Sequence, residues 1–194
     1  MFILASNSLR RLELLEQAGV SIDKVICPNI EEIPLRSELP INFVRRMALT
    51  KSKAITNHYN DFVLTADTIV TRGRRILGKP ENRINAKKYL KFLSGSRHRV
   101  VTSVCLAYKG KVIGREVVTI VKMKLLSDLE IEDYMDTEEW KGKAGGYAIQ
   151  GHAAKFIPYI SGSYTNVVGL PLTETLNMLT GNGFIIGNKL INNE

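Results

Sequence analysis

Asp67 is the one charged side chain in an apolar and β-branched run from Leu64 to Val70. An ionised carboxylate that is buried alone is very costly, so Asp67 must be paired, hydrated or bound to a metal. We place it at the end of a strand, which is where α/β sheets carry their active sites. The residues alone leave a capping or turn role open for this carboxylate.

Glu31 and Glu32 add two carboxylates shortly after another apolar stretch, which ends at Cys27. Carboxylates that converge near phosphate groups form a site for Mg²⁺, because this ion prefers oxygen ligands and keeps several of its waters. Together with Asp67, these residues predict a metal-dependent reaction at a phosphate.

Cations that suit a phosphate stand in three places along the chain. Ser8, Arg10 and Arg11 open a helical pattern, where unpaired backbone N–H groups also attract anions. Lys51 lies on a long helical pattern, and Lys79 stands between a glycine and a proline, so the backbone fixes its direction. A helix cap at Ser8 and solvated charges elsewhere are the other interpretation of the same residues.

The glycine-rich segment from Lys143 to Gly151 suits a nucleotide base. Its glycines allow the backbone to approach a ligand closely, while Tyr147 could stack on a base and Gln150 could hydrogen-bond to it. A bend between strands with an ordinary core tyrosine has the same pattern.

The elements that must position these side chains alternate between strand and helix patterns from Phe2 onward. Pro40 predicts the first turn of a long helix, Lys109-Gly110 a hairpin turn, and Ser127-x-x-Glu130 a capping box. The fold class is therefore α/β, a mixed sheet with flanking helices in one domain, residues 1–194. Strands are predicted at 2–5, 25–27, 62–70, 76–77, 100–108, 111–126 and 156–160.

The composition is that of a globular protein, since 44% of the 194 residues are hydrophobic and 24% are charged. Disordered, collagen-like and coiled-coil chains are thereby excluded. The net charge of +8 favours a polyanionic partner. Neither a signal peptide nor a membrane span is recognisable, so we expect a cytoplasmic protein without a membrane partner. Cys27 and Cys105 lie in apolar stretches and are expected to be buried, reduced thiols.

Taken in order, six segments resemble the Maf family of nucleotide pyrophosphatases, also called septum formation inhibitor proteins. The resemblance runs nearly end to end, and the combination of segments is highly specific. The segments are LASNSLRRLELL (4–15), TADTIV (65–70), GKP (78–80), LSGSRHRV (93–100), AGGYAIQG (144–151) and GSYTNVVGLPL (162–172).

The resemblance implies a bilobed α/β fold akin to the inosine triphosphate pyrophosphatases (Maf/Ham1-type), with a nucleotide in the central cleft and usually a homodimer. It also implies hydrolysis of a nucleoside triphosphate between the α and β phosphates, which gives the monophosphate and pyrophosphate. The form of segment 144–151 resembles the subgroup that acts on dTTP and UTP. The subgroup that prefers methylated GTP typically carries a glutamate near the Gln150 position.

Position by position, the resemblance assigns the proton acceptor to Asp67 and the second acidic residue to Glu32. We expect these two to hold Mg²⁺ or Mn²⁺, and either can act as the base, since such sites share protons among carboxylates. The residues expected to bind the phosphates are Ser8, Arg11, Lys51 and Lys79, and those expected to set specificity are Arg10, Thr68 and Gln150.

Leu9 departs from the family pattern, which usually has proline at this position. Leucine lacks the fixed φ of a first-turn proline but removes no polar group. We therefore expect a local loss of stability and no loss of function.

Two other functions stay open. The substrate of the enzyme could be methylated GTP or modified nucleotides in general. A nucleic-acid-binding regulator of cell division would explain the net charge of +8. However, it leaves Asp67 and Glu32 without a role, and the chain has no helix-turn-helix or RNA-binding pattern, so we do not expect a nucleic-acid partner.

Overall fold

The computed structural model describes residues 1–55 and 57–187, which form one mixed sheet with helices on both faces. The strands are β1 (Phe2–Ala5), β2 (Lys24–Val25), β3 (Phe62–Arg72), β4 (Arg75–Leu77), β5 (Arg97–Tyr108), β6 (Lys111–Lys122) and β7 (Tyr159–Ser161). The helices are α1 (Leu9–Gln17), α2 (Pro40–Lys53), α3 (Arg83–Leu93), α4 (Asp128–Asp136), α5 (Tyr164–Val168) and α6 (Leu172–Gly181).

The sheet has the strand order β2-β1-β3-β5-β6-β7, and β4 pairs with β3. Strand β1 runs parallel to both of its neighbours, and its register with β3 ends where Ala5 pairs with Thr65. The other pairings are antiparallel, and one of them sets Asp67 opposite Ser103. The predicted α/β class with a mixed sheet and flanking helices is confirmed.

The two faces of the sheet bury different helices. Because side chains alternate along a strand, Ile69 of β3 packs against Phe43 and Met47 of α2. Leu64 faces the other way, into the main core, which also includes Leu90 of α3. Asp67 has the same parity as Ile69, so its side chain points toward α2.

Local sequence signals place several elements as predicted. Pro40 occupies the first turn of α2, and Ser127 and Glu130 form both hydrogen bonds of a capping box at the start of α4. Lys109 and Gly110 both have positive φ, at 48° and 73°, as a tight two-residue hairpin turn requires. These signals act within four residues, so they are visible without the fold.

The strand predicted over 156–160 is wrong at its start. Phe156 is fully buried and ends a short 3-10 helix, His152–Phe156. Strand β7 begins only at Tyr159, because Pro158 has no N–H with which to extend the pairing to β6. Similarly, β6 ends at Lys122 rather than at residue 126.

The two cysteines differ in their environments. Cys105 is buried, and burial raises the pKa of its thiol to about 11. The prediction that Cys27 is buried is wrong, since this residue is exposed. It follows β2, which is the edge strand of the sheet that the described residues form. Both thiols are free.

Leu9 is the first residue of α1 and is largely exposed. The preceding Ser8 is extended, at φ −82° and ψ 107°. A proline in place of Leu9 would be compatible with an extended Ser8 before it. That leucine lowers the local stability relative to proline stays a prediction. No helix in the described ranges is both long enough and apolar enough to cross a membrane.

His98 of β5 is a buried titratable group that connects the sheet to the glycine-rich segment. Its Nε2 atom lies 2.7 Å from the hydroxyl of Tyr147, and its buried Nδ1 has no hydrogen-bond partner among the described residues. Burial, followed by the positive charge of Arg72, lowers the pKa of His98 from 6.5 to about 4.

We predict that this histidine makes the fold sensitive to acid. Between pH 6.5 and 4 the unfolded chain binds a proton that the folded chain does not, so stability is full above pH 6.5 and declines towards pH 4. The loss amounts to about 3 kcal/mol. Urea unfolding measured across this range should show a shallower decline for His98→Gln than for the unmodified protein. Parallel declines would contradict the prediction.

Candidate active site

A cleft of about 840 Å³ opens beside the carboxyl end of β1. Its walls come from the loop after β1, from α2 and β3, and from the glycine-rich segment. The structure brings all nine residues predicted for the site to this cleft, namely Ser8, Arg10, Arg11, Glu32, Lys51, Asp67, Thr68, Lys79 and Gln150.

A lysine bridges two carboxylates in the wall of the cleft. The Nζ atom of Lys51 lies 2.5 Å from Oδ1 of Asp67 and 2.7 Å from Oε1 of Glu32. The Lys51 and Asp67 side chains are buried, whereas the Glu32 side chain is 38% exposed. Lys79 is more exposed still, and its Nζ atom lies 3.9 Å from Oε2 of Glu32. This carboxylate cluster is therefore anchored in the core and opens to solvent at Glu32.

Asp67 does not end a strand, as the sequence had suggested, because β3 continues to Arg72. The strand that ends is its parallel neighbour β1, whose last pair joins Ala5 to Thr65. The pairing of β1 with β3 therefore ends two residues before Asp67. At Asp67, within the described residues, no strand pairs with β3 on the side of β1. The position is a sheet end of the kind that holds active sites, although β1 rather than β3 creates it.

Glu32 carries opposing influences on its protonation. Burial raises the pKa of this carboxyl, but the hydrogen bond and the charge of Lys51, followed by the charges of Lys79 and Arg11, outweigh that effect. The net result is a pKa below the ordinary glutamate value. Glu32 is thus ionised at neutral pH and suited to bind a cation.

Arg11 connects three segments of the cleft wall by hydrogen bonds. Its Nε donates to the carbonyl of Gly169 at 2.8 Å, Nη1 to Oγ of Ser6 at 2.9 Å, and Nη2 to Oγ1 of Thr68 at 3.0 Å. Burial lowers the pKa of Arg11, while the nearby Asp67 opposes this change. The guanidinium joins three segments, a structural role that the sequence did not reveal. Its phosphate contact stays a prediction.

Thr68 belongs to the same hydrogen-bond network. Its hydroxyl also lies 3.0 Å from that of Thr102 and 3.2 Å from the carbonyl of Gly169. The specificity role expected for Thr68 would therefore act through the shape of the wall. Gly169 is a contact that sequence reasoning missed, although it lies inside the family segment 162–172.

Ser8 and Arg10 line the cleft at the start of α1. Ser8 is the N-terminal cap residue, but its hydroxyl makes no capping hydrogen bond. The buried Nε of Arg10 has no partner among the described residues, and burial lowers the pKa of Arg10. Lys143 lines the same cleft, and burial followed by the charge of Arg10 lowers its pKa as well. Lys143 is not among the residues predicted for the site, although it opens the glycine-rich segment.

Tyr147 and Gln150 have different environments on the glycine-rich segment. Tyr147 is buried in the main core with its hydroxyl against His98, so the structure supports the core interpretation rather than stacking on a base. Gln150 is exposed and lines the cleft. Its amide can both donate and accept hydrogen bonds.

The described residues contain no group of three or more His, Cys, Asp or Glu side chains arranged for a metal ion. Asp67 and Glu32 nevertheless converge on one positive charge, the ammonium of Lys51. Because Mg²⁺ is commonly bound through one or two carboxylates together with waters and substrate phosphates, this pair suits such an ion.

The model of the Maf-like protein family matches residues 1–182. This chain belongs to the Maf-like family. The resemblance inferred from the sequence segments is thereby confirmed.

Curated relatives of this Maf-like protein carry enzyme names. A dTTP/UTP pyrophosphatase of Roseobacter denitrificans is 53% identical over 184 residues, which is 95% of this chain and 98% of the relative. A dTTP/UTP pyrophosphatase of Ruegeria is 51% identical, at 94% and 95% coverage. A nucleoside triphosphate pyrophosphatase of Anaplasma marginale is 50% identical, at 92% of each chain.

Among solved structures, a nucleoside-triphosphatase (dITP/XTP pyrophosphatase) of Mycobacterium abscessus is 14% identical. The match covers 93% of this chain and 95% of that one, with a TM-score of 0.38. A likeness this low carries no argument about the fold or the function of the Maf-like protein.

We predict that Lys51→Met destabilises the fold strongly, because it leaves the buried carboxylate of Asp67 without its ion-pair partner. Removing one member of a buried pair costs about 3 to 5 kcal/mol. Urea unfolding at neutral pH measures the loss. Lys53→Met, at an exposed position on the same helix, is the control and should change stability by less than about 0.5 kcal/mol. Equal losses in the two variants would contradict the prediction.

Proposed function

We propose that this Maf-like protein is a nucleoside triphosphate pyrophosphatase that hydrolyses dTTP and UTP to the monophosphate and pyrophosphate. One observation carries the proposal: the carboxylate cluster around Lys51 and the exposed amide of Gln150 line the same cleft. The first offers charged groups for phosphate chemistry and the second offers a contact for a base. The relatives named dTTP/UTP pyrophosphatase, at 53% and 51% identity, support these substrates.

The proposed reaction is the attack of a water on the α-phosphorus. Asp67 orients this water and accepts its proton, while the water oxygen forms a bond to phosphorus. The bond from the α-phosphorus to the bridging oxygen breaks, and pyrophosphate leaves with the electron pair. Glu32 is the alternative base, since it belongs to the same cluster and is more exposed.

The cations of the cleft are proposed to hold the polyphosphate. Lys51 keeps Asp67 in place and adds positive charge to the cleft. The exposed Lys79 is loosely held, so it can turn from Glu32 to a phosphate. Ser8 and Arg11 would complete the contacts at the start of α1, where backbone N–H groups also favour an anion.

Asp67 and Glu32 are proposed to hold Mg²⁺ or Mn²⁺ together with the substrate. When bound, such an ion offsets charge on the phosphate oxygens and acidifies a coordinated water. The two carboxylates converge, because the ammonium of Lys51 lies within 2.7 Å of an oxygen of each. The ionised state of Glu32 favours the same ion.

We also propose that the protein is a single-domain cytoplasmic homodimer that uses neither a membrane nor a nucleic acid. The family resemblance supports the homodimer, and the two free cysteines suit a reducing compartment. These expectations stay predictions.

Pyrophosphate release from a panel of nucleotides tests the proposed function. The panel contains dTTP, UTP, CTP, GTP and methylated GTP, each with Mg²⁺, with Mn²⁺ and with EDTA. We expect metal-dependent release that is fastest with dTTP and UTP. Release that is fastest with methylated GTP would overturn the substrate assignment. Absence of release from folded protein would overturn the reaction and favour the nucleic-acid-binding alternative.

Asp67→Asn should lower kcat by two or more orders of magnitude, because the amide cannot accept the proton of the water. Steady-state pyrophosphate release from dTTP measures the change. Asp128→Asn makes the same substitution at an exposed residue paired with Lys91, and it should leave kcat unchanged. Nearly full activity of Asp67→Asn would remove the proposed base.

Gln150→Glu should reduce the preference for dTTP and UTP. The amide can match both O4 and N3–H of thymine or uracil, whereas an ionised carboxylate only accepts hydrogen bonds and repels O4. We expect the ratio of kcat/KM for dTTP to that for methylated GTP to fall at least about tenfold. An unchanged ratio would show that Gln150 does not contact the base.

A further inference from the structure

We infer that Glu139 is a positioning residue for base recognition, because its carboxylate holds the turn that presents Gln150 to the cleft. The inference rests on the proposed function, since it concerns how the base-contacting residue is placed. Within the described residues, no side-chain hydrogen bond fixes the amide of Gln150 itself. The orientation of this amide therefore depends on the backbone of its turn.

Both oxygens of Glu139 are directed at the residue that follows the Gln150-Gly151 pair. The backbone N–H of His152 donates to Oε2 at 2.8 Å, and Nδ1 of His152 lies 2.6 Å from Oε1. Hydrogen bonds to an ionised acceptor are stronger than those between neutral groups. Glu139 thus fixes both the backbone and the ring of His152.

The carboxylate also packs directly over the turn. A Cβ atom at Gly151 would overlap the carboxyl group of Glu139. Gly151 has φ −113°, which other residues adopt, so a side chain here would meet the Glu139 carboxylate rather than backbone strain. The side chain therefore occupies the space beside the backbone immediately after Gln150.

The other end of the turn is held independently. The hydroxyl of Tyr134 accepts a hydrogen bond from the N–H of Ala148 at 3.0 Å, and the N–H of Gly151 donates to the carbonyl of Ala148 at 3.1 Å. Gln150 thus lies in a turn with one attachment before it and one after it. Tyr134 belongs to the core, whereas the Glu139 side chain is 25% exposed and pairs with an exposed histidine. The attachment at Glu139 can therefore be removed without opening the core.

Loss of this attachment should weaken substrate binding rather than the chemical step. If the turn holds the amide in the binding orientation for only a fraction of the time, the apparent affinity for the base is reduced by that fraction. Asp67, the proposed base, lies on a central strand and is held by Lys51, so its geometry does not depend on Glu139.

A double-mutant cycle between Glu139 and Gln150 tests the inference. Glu139→Ala and Gln150→Ala are prepared singly and together, and kcat and KM for dTTP are measured with Mg²⁺. We expect Glu139→Ala to raise KM about five- to tenfold while kcat changes less than about twofold. In the Gln150→Ala background, the same change should raise KM less than about twofold.

Matched variants separate this role from a general effect on folding. Glu139→Gln keeps a carbonyl acceptor for the N–H of His152, so its KM should stay close to that of the unmodified protein. Glu138→Gln removes a charge at the adjacent exposed position and should have no effect. The Cβ atom that Gly151→Ala adds would push the Glu139 carboxylate away from the turn, so this variant should also raise KM. It tests the attachment even where Glu139→Ala does not fold.

This inference alone would be overturned if the protein hydrolyses dTTP but the effects of the two alanine variants on KM simply multiply in the double variant. An equal fall of kcat in Glu139→Ala, Glu139→Gln and Gly151→Ala with KM unchanged would do the same. Native protein that releases no pyrophosphate from any nucleotide would instead overturn the proposed function and this inference with it.

Discussion

The pairing of Asp67 with Lys51 is the interaction on which the arrangement of the cleft depends. An ionised carboxylate that is buried on a central strand needs compensation, and here the compensating cation comes from α2. Helix α2 can supply it because Phe43 and Met47 pack the helix against the same face of the sheet. The same ammonium then holds Glu32 from the preceding loop, so one buried charge gathers three segments.

The early end of β1 turns this charged cluster into an accessible site. Where β1 stops, the chain bends away into α1, and Arg11 ties that bend to β3 and to the carbonyl of Gly169. Arg11 thereby joins three segments of the cleft wall. The carboxylates lie on β3 and on the loop before α2, whereas Gln150 belongs to the glycine-rich segment. A nucleotide that spans the cleft could place its phosphates on the first group and its base on the second.

What the sequence could predict was local. A lone carboxylate in an apolar run identified Asp67, and a four-residue pattern at Ser127 identified the start of α4. Properties set by other parts of the fold were not predictable in this way. The end of β1 makes the position of Asp67 a sheet end, and the edge position of β2 leaves Cys27 exposed. Glu139 carries no local signal at all, because its contacts form only when the turn at residues 148–152 folds back onto it.

In the proposed reaction, a water beside Asp67 attacks the α-phosphorus of a nucleoside triphosphate. Hydrolysis of dTTP in water enriched in oxygen-18, with mass spectrometry of both products, tests this claim most directly. We predict one labelled oxygen in dTMP and none in pyrophosphate, because the new bond forms at the α-phosphorus. Label in pyrophosphate would contradict the claim, since the water would then have attacked the β-phosphorus.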